Sequence, residues 1–461
     1  MATKRDARSY NIFVDNRIVV PHNRAMEKRT LTRATGNWVV GGQFWDREAE
    51  LKLLIERLDE GAHLLLVAPR RMGKTSLMRE TARRIENRYL CLHVDLQKAQ
   101  SAADAIVELS VAAHRYKSLW ERTKGVFQNV LRDTIDSIKI DEIAVTLRSG
   151  LTAGDWQEKG DRLFEILATH KKPVVIFFDE VPILVNRLLK GTDYAITPER
   201  REAADAFLSW LRANSVHHQR SIRMVITGSI GLEPVVHQAG LSATLNTLTP
   251  FPLASWNRET ATGCLNALAA GYGLTLQPDA VREMLDRLGL FIPHHVQMFF
   301  DNVLQAARLR GITDISRQLA AEVYEHSMLG LRGHAELSHL EERLRMVLGP
   351  ELDLLALDLL TEAAVAGSLT DEAAAVLARR HFSDEAPFAI GFAPATQATE
   401  PPGRRFCDEW KAPLRHVLAI LEHDGYLEKR DGAYVFSSRL VRDWWKARFN
   451  FAYAPVSRQG V

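Results

Sequence analysis

The sequence predicts an α/β fold in which a doubly wound parallel sheet is followed by helical parts. Near-continuous apolar runs, which suit strands buried on both faces, alternate with helical stretches between Phe44 and about Trp256. After Pro252 the strand pattern fades, and short amphipathic helices follow one another. The 461-residue chain is 46% hydrophobic and 25% charged, which excludes a largely disordered protein.

Four buried strands are predicted in the first half of the chain: His63–Val67, Tyr89–Leu96, Pro173–Phe178 and Arg223–Thr227. Helices are predicted between and after them, at about 74–87, 102–116, 161–170 and 201–213. The segment 117–160 interrupts this alternation and contains one more strand candidate, 140–147. We interpret 117–160 as an insertion of unknown role in a core that spans 41–256.

Two further domains are predicted after this core. Residues 257–348 are expected to form a helical lid subdomain, with helices at about 258–271, 278–288, 295–308, 315–327 and 337–347. Residues 349–461 are expected to contain helices at 351–366, 370–379 and 408–423, a loop at 382–403, and a hairpin that turns at Asp431-Gly432. Helix, helix, helix, hairpin is the order of a winged helix.

Charge and cysteine content exclude other classes of protein. Lys and Arg number 59 against 57 Asp and Glu, so the net charge of +2 argues against a histone-like or ribosomal protein. Cys91, Cys264 and Cys407 share no close spacing, which argues against a disulfide framework or a zinc ribbon. Because no apolar run is typical of a signal peptide or a membrane span, we expect a cytoplasmic protein without a membrane partner. Residues 1–40 are locally basic, which predicts a solvated arm or a nucleic-acid contact.

The most specific motif directly follows the first buried strand and opens a helix. Residues 68–75 (APRRMGKT) match the phosphate-binding pattern GxxxxGK[ST], with Ala68 in place of the first glycine. Such a loop points backbone N–H groups at phosphate oxygens, at the amino end of a helix. The pattern predicts that Lys74 neutralises the β and γ phosphates and that the Thr75 hydroxyl binds Mg²⁺. The residues predicted to hold ATP or ADP here are Pro69, Arg70, Arg71, Met72, Gly73, Lys74, Thr75 and Ser76.

Two other strands end in polar residues. The run 174–180 (VVIFFDE) ends in Asp179 and Glu180, and buried acids at a strand end require a partner. Mg²⁺ is the expected partner of Asp179, through a coordinated water, and Glu180 is placed to polarise the water that attacks the γ-phosphate. Ser229 follows the last predicted strand; holding the lytic water, sensing the γ-phosphate and forming a simple turn remain alternatives for it.

These motifs together resemble the archaeal-type ATPases of the STAND class, a branch of the AAA+ relatives that act as regulatory switches. The resemblance rests on 44–48 (FWDRE), 68–76 (APRRMGKTS), 177–180 (FFDE), 227–229 (TGS) and, more loosely, 289–297 (GLFIPHHVQ) and 434–449. It implies that Arg47 and Glu48 lie near the adenine and that Pro293 contacts the base. It also implies that His294 or His295 approaches the phosphates, whereas surface or capping roles are the alternative for these histidines.

The resulting hypothesis is an ATP-binding, slowly hydrolysing switch whose winged helix moves with the nucleotide state. Slow turnover is expected because 229–256 contains no Lys or Arg, where ring-forming relatives carry an arginine finger; Arg70, Arg71 and Arg220 are candidate substitutes. An unidentified protein partner and nucleotide-dependent self-association are expected. The alternative is an ATP-dependent DNA-binding protein that uses the winged helix and basic arm, and a metabolic kinase is a weaker third hypothesis.

Overall fold

A computed structural model describes residues 30–127, 144–148, 151–152, 154–382, 409–450 and 453–456. Residues 1–29 of the predicted arm, residues 140–143 of the strand candidate, and 383–403 of the predicted loop lie outside these ranges. Within the described ranges, no helix combines the length and the apolar composition that crossing a membrane requires.

Five parallel strands form the central sheet, in the order β2-β3-β4-β1-β5. They are β1 (His63–Val67), β2 (Leu90–Asp95), β3 (Val174–Asp179), β4 (Ile222–Ile226) and β5 (Leu248–Pro252). The four predicted strands are therefore confirmed, with their ends shifted by at most one residue. Strand β5 is not apparent in the sequence because Pro250 and Pro252 interrupt its apolar pattern; the sheet tolerates both since β5 lies at its edge.

Both faces of the sheet are covered, as the buried strands predict. Val175 and Phe177 of β3 belong to a core with the helices on one face, whereas Ile176 and Phe178 belong to the core on the other. The flanking helices are α1 (Glu48–Asp59), α2 (Lys74–Ile85), α3 (Ala102–His114), α4 (Lys117–Thr123), α5 (Trp156–Ala168), α6 (Val181–Lys190), α7 (Pro198–His217) and α8 (Leu232–Gln238). The predicted doubly wound arrangement is confirmed.

The strand candidate at 140–147 is wrong where the structure describes it. Residues 144–148 are helical. Leu147 is buried but Val145 is 64% exposed, so this short apolar run does not have the two buried faces of a central strand. Around it lie the short helix α4, a 3₁₀ turn at Lys124–Phe127, and the start of α5.

The part after the sheet is helical, as predicted. Its first helices are α9 (Arg258–Gly271), α10 (Pro278–Leu288), α11 (Pro293–Arg310), α12 (Arg317–Val323) and α13 (Leu331–Leu337), with a π-helical turn at Tyr324–Met328. The short strands β6 (Thr275–Leu276) and β7 (Asp314–Ile315) pair in parallel.

The C-terminal elements follow the winged-helix order. They are α14 (His339–Ala366), α15 (Asp371–His381), α16 (Lys411–His423), β8 (Leu427–Arg430), β9 (Ala433–Phe436) and α17 (Arg439–Phe449). Helix α14 is interrupted at Gly349 (φ 83°, ψ 169°), next to Pro350, which divides it into the two predicted helices. Asp431 (φ 49°) and Gly432 (φ 83°) form the predicted hairpin turn. The exact domain boundaries stay predictions.

Candidate nucleotide-binding site

A cavity of about 310 Å³ opens at the carboxyl ends of β1, β3 and β4. Ligands of open parallel sheets bind at this edge. The cavity has three walls: the loop between β1 and α2, the ends of β3 and β4, and a wall made by residues 31–47 and the start of α11. The predicted site residues that line it are Arg47, Arg70, Arg71, Met72, Gly73, Lys74, Thr75, Ser76, Asp179, Glu180, Ser229, Pro293 and His294.

The loop between β1 and α2 has the backbone of a phosphate-binding turn. Gly73 (φ 88°) caps α2 in the left-handed region, and Arg71 (φ 68°) adopts the same region. Ala68, which replaces the first glycine of the motif, has no positive φ, so its β-carbon causes no backbone strain. The departure from the motif therefore does not distort the loop.

Lys74 is held by the loop itself. Its Nζ donates to the carbonyl oxygens of Ala68 at 2.7 Å and Pro69 at 2.9 Å. The side chain is 8% exposed, and burial lowers its pKa to about 8. The carbonyl oxygens offer the Lys74 ammonium only partial negative charges, whereas a phosphate would provide a full countercharge.

The predicted metal ligands meet across the cavity. Thr75 Oγ1 donates to Asp179 Oδ2 at 3.0 Å. Burial, together with the charge of Glu180, raises the pKa of Asp179 to about 6, so this carboxylate lacks sufficient positive charge around it. A hydroxyl beside such a carboxylate fits Mg²⁺. Within the described residues no group of three or more His, Cys, Asp or Glu side chains is placed to hold a metal ion.

Glu180 and Ser229 are in direct contact. Glu180 is in the left-handed region (φ 63°) at the start of α6, which turns its carboxylate towards the end of β4. Ser229 donates to Glu180 Oε2 from its backbone N–H at 2.8 Å and from its hydroxyl at 2.7 Å. The structure thus brings together the predicted base and the residue whose role the sequence left open.

The site holds an excess of positive charge. Arg70, Arg71, Lys74 and Arg343 lie around the phosphate loop, and burial, with the charges of Arg343 and Arg71, lowers the pKa of Arg70 to about 10. Arg71 lines the cavity, and its buried Nε atom has no hydrogen-bond partner among the described residues. Buried, unsatisfied donors of this kind fit a polyanionic ligand.

The two histidines of 289–297 differ in position. His294 lines the cavity, and its Nε2 lies 3.3 Å from Glu336 Oε2; burial lowers its pKa. His295 is buried away from the cavity lining, and burial lowers its pKa well below the usual value. Pro293 begins α11 at the cavity wall, where its missing N–H is not needed.

Arg47, Glu48 and Pro69 have other partners. The buried guanidinium of Arg47 donates to the carbonyl oxygens of Ala254 at 2.8 Å and Met72 at 3.3 Å, so it braces the phosphate loop. Glu48 forms two 2.6 Å contacts with Arg84 and does not line the cavity. Pro69 also lies outside the lining and packs against Gly425. The adenine contact that the resemblance implies for Arg47 and Glu48 stays a prediction.

Comparisons with known proteins were consistent with this architecture. No protein-family model and no curated protein matches the sequence. Among solved structures, the Walker-type ATPase PABY2304 of Pyrococcus abyssi aligns over 91% of this chain and 99% of its own, with 16% identity and a TM-score of 0.54. The ORC2 protein of Aeropyrum pernix aligns over 93% and 99%, with 13% identity and a TM-score of 0.49.

The chain has the P-loop NTPase fold. At 16% identity the likeness to the Pyrococcus protein shows the fold alone. The P-loop lies in this fold between β1 and α2, and the two acids lie at the end of β3, beside β4.

Several residues of the far wall of the cavity, among them Ala34, Trp38 and Val39, were not found from the sequence. Val39 N–H donates to Ser76 Oγ at 3.1 Å and Ala34 N–H donates to Gln297 Oε1 at 3.0 Å, so residues 31–47 connect the P-loop helix to α11. Trp38 is 51% exposed at the cavity, with the Arg79 guanidinium 4.2 Å from its ring. Contacts made through the backbone leave no residue pattern, whereas the aromatic Trp38 is a signal that the sequence analysis did not use.

Proposed function

We propose that this protein binds ATP with Mg²⁺ and hydrolyses it slowly, as a regulatory ATPase of the STAND class whose nucleotide state changes the position of its C-terminal helices. The observation that carries the proposal is the convergence of Lys74, Thr75, Asp179 and Glu180 on one positively charged cavity. The first two side chains belong to the P-loop after β1, and the acids end β3, which is separated from β1 in the sheet by β4.

Each of these side chains has a chemical role that its position supports. The P-loop N–H groups and Lys74 would bind the β and γ phosphates, and Thr75 with Asp179 would hold Mg²⁺. The metal would neutralise charge on the transferred phosphoryl group. Glu180 would accept a proton from the attacking water, since it is an acid at the edge of the same cavity with no role as a metal ligand.

Slow turnover follows from the sparse positive charge beyond β4. The stretch 229–256 contains no Lys or Arg, so it has no arginine finger to insert into the site of a neighbouring subunit. Arg220 is a poor substitute because it is exposed just before β4, at the end of the strand opposite the cavity. Arg70 and Arg71 line the cavity and stay candidates.

The switch part of the proposal rests on contacts between the C-terminal elements and the P-loop side of the core. Asp424 Oδ1 accepts from Gly231 N–H at 3.2 Å, and Gly425 lies so close to Pro69 that a β-carbon on it would be 2.6 Å from the Pro69 ring. A nucleotide that binds between α11 and the P-loop shifts this arrangement only if its affinity differs between docked and undocked forms. A protein partner, or self-association, would recognise the undocked form.

The binding part is tested with Lys74→Ala. We expect calorimetry to show loss of most ATP and ADP affinity, because the buried polyphosphate loses its main countercharge. Lys52→Ala is the matched control, since Lys52 is 80% exposed on α1. Unchanged ATP affinity in Lys74→Ala would remove the P-loop assignment.

The switch part is tested by limited proteolysis and small-angle scattering of the apo, ADP and ATP-analogue forms. We expect cleavage within 345–352, at the interruption of α14, and within 382–403 to differ among the three forms. Identical cleavage and identical scattering in all three would leave a static ATPase.

The DNA-binding alternative has less support. Helix α16 exposes Lys411 and Arg415, but its carboxyl end packs on the core through Asp424. In the hairpin, Lys429 Nζ lies 3.3 Å from Asp371, and Arg430 pairs with Glu428. Fluorescence anisotropy with a labelled duplex, with and without ATP, tests it; salt-sensitive binding that changes with ATP would favour this alternative.

A further inference from the structure

Arg343 provides a contact that no motif of the P-loop NTPase site requires. It lies in the first half of α14, between His339 and the interruption at Gly349, and is 6% exposed. Its guanidinium donates to Ser229 Oγ, and the same hydroxyl donates to Glu180 Oε2 at 2.7 Å. A buried arginine from the C-terminal half is thus one residue away from the proposed base.

The Ser229 hydroxyl has one proton and two lone pairs. Because Arg343 donates to the oxygen, the hydroxyl proton is left to point at Glu180 Oε2. The positive charge of the guanidinium also polarises the hydroxyl, which strengthens the bond it donates. With the Ser229 N–H on the same oxygen, Glu180 Oε2 is fully engaged and the other carboxylate oxygen stays available for water.

The position of Arg343 is set by α6, the helix that directly follows Glu180. Asn186 and Lys190 of α6 donate to the carbonyl oxygens of Met346 and Val347, which lie in the same half of α14 as Arg343. On its other side, the buried Tyr426, which directly precedes β8, donates to Leu340 O at 2.8 Å. Hydrogen bonds from both the core and the C-terminal elements therefore hold the first half of α14 in this position.

We propose that Arg343 is a positioning residue that orients Glu180 through Ser229 and makes hydrolysis depend on docking of the C-terminal elements. The inference rests on the proposed ATPase function and adds a residue in cis that 229–256 does not contain. It acts on turnover and not on binding of the diphosphate, because its hydrogen bond is to Ser229, the partner of the base, and not to the P-loop.

The experiment compares Arg343→Gln and Arg343→Lys with the control Arg345→Gln, all in the full chain. Arg345 is exposed and lies in the same half of α14. For Arg343→Gln we expect kcat to fall about tenfold or more, while KM and the Kd for ADP stay within about twofold. Arg343→Lys should retain an intermediate kcat, because the ammonium still donates to Ser229. Arg345→Gln should match the wild type.

A double-mutant cycle tests the path through Ser229. If Arg343 acts through the hydroxyl, Arg343→Gln should have no further effect on kcat in a Ser229→Ala background. An undiminished loss in that background would place the guanidinium directly on the phosphates and overturn the proposal. An unchanged kcat in Arg343→Gln, or an equal loss of ADP affinity, would also overturn it. Should Arg343→Gln fail to fold, Arg343→Lys in the same cycle decides. A wild-type protein without ATP hydrolysis would instead sink the proposed function.

Discussion

Thr75 Oγ1 donates a 3.0 Å hydrogen bond to Asp179 Oδ2, across 104 residues of sequence. This bond joins the first turn of α2 to the end of β3 and brings a hydroxyl and a carboxylate to the place where a P-loop NTPase holds its metal.

Asp179→Asn should abolish the Mg²⁺-dependent part of ATP binding. The amide still accepts from Thr75 but lacks the negative charge that holds the cation. Calorimetry with and without EDTA should show a Mg²⁺ effect on ATP affinity in the wild type and in the exposed control Asp314→Asn, and none in Asp179→Asn. Metal-free ADP binding should persist. A full Mg²⁺ effect in Asp179→Asn would place the metal elsewhere.

Glu180→Gln should bind ATP and retain it. Glutamine accepts the two hydrogen bonds from Ser229 but does not take up a proton, so the rate of phosphate release should fall by about 10²–10⁴-fold. Glu233→Gln, at an exposed position on α8, is the control. Wild-type phosphate release by Glu180→Gln would make Glu180 a structural residue and place the base elsewhere.

Gly231→Ala should loosen the C-terminal elements. A β-carbon on Gly231 would lie 2.3 Å from the ring of His423, next to the hydrogen bond from Gly231 N–H to Asp424. Overpacking of this kind costs about 1–3 kcal/mol. We expect faster proteolysis near α16 and a lower Tm than in Gly154→Ala, where the nearest atom is 3.9 Å away. Equal stability of the two variants would show that the loop relaxes freely.

His416→Gln should reduce the acid sensitivity of folding. Burial, with the charges of Lys190 and His237, lowers the pKa of His416 to about 4. Below a pH of about 6.5, the ordinary pKa of histidine, the unfolded chain takes up a proton that the folded chain refuses, so stability is lost as the pH falls towards 4. Urea unfolding from pH 7.5 to 4.5 should show a smaller loss in His416→Gln than in the wild type. The exposed control His326→Gln should follow the wild type; if His416→Gln does too, His416 is not held neutral.

Much of the fold could be predicted because its signals are local. Strands β1, β3 and β4 are buried on both faces, so each is a near-continuous apolar run that can be recognised in the sequence without its neighbours. The turn at Asp431-Gly432 was predicted for the same reason, since two residues with positive φ determine it. Strand β5 has no such run, and its place at the sheet edge comes from pairing with β1.

The sequence by itself determined the phosphate loop, the acids after β3 and the polar end of β4. A parallel sheet brings the carboxyl ends of its strands to one edge, so three separate motifs imply one site. Only the tertiary structure decided that Arg343 reaches Ser229, that residues 31–47 form a cavity wall, and that Glu48 turns away to Arg84. These contacts depend on how helices and segments dock against one another. Docking is determined by the sum of many apolar contacts, which produces no recognisable spacing of residue types in the sequence.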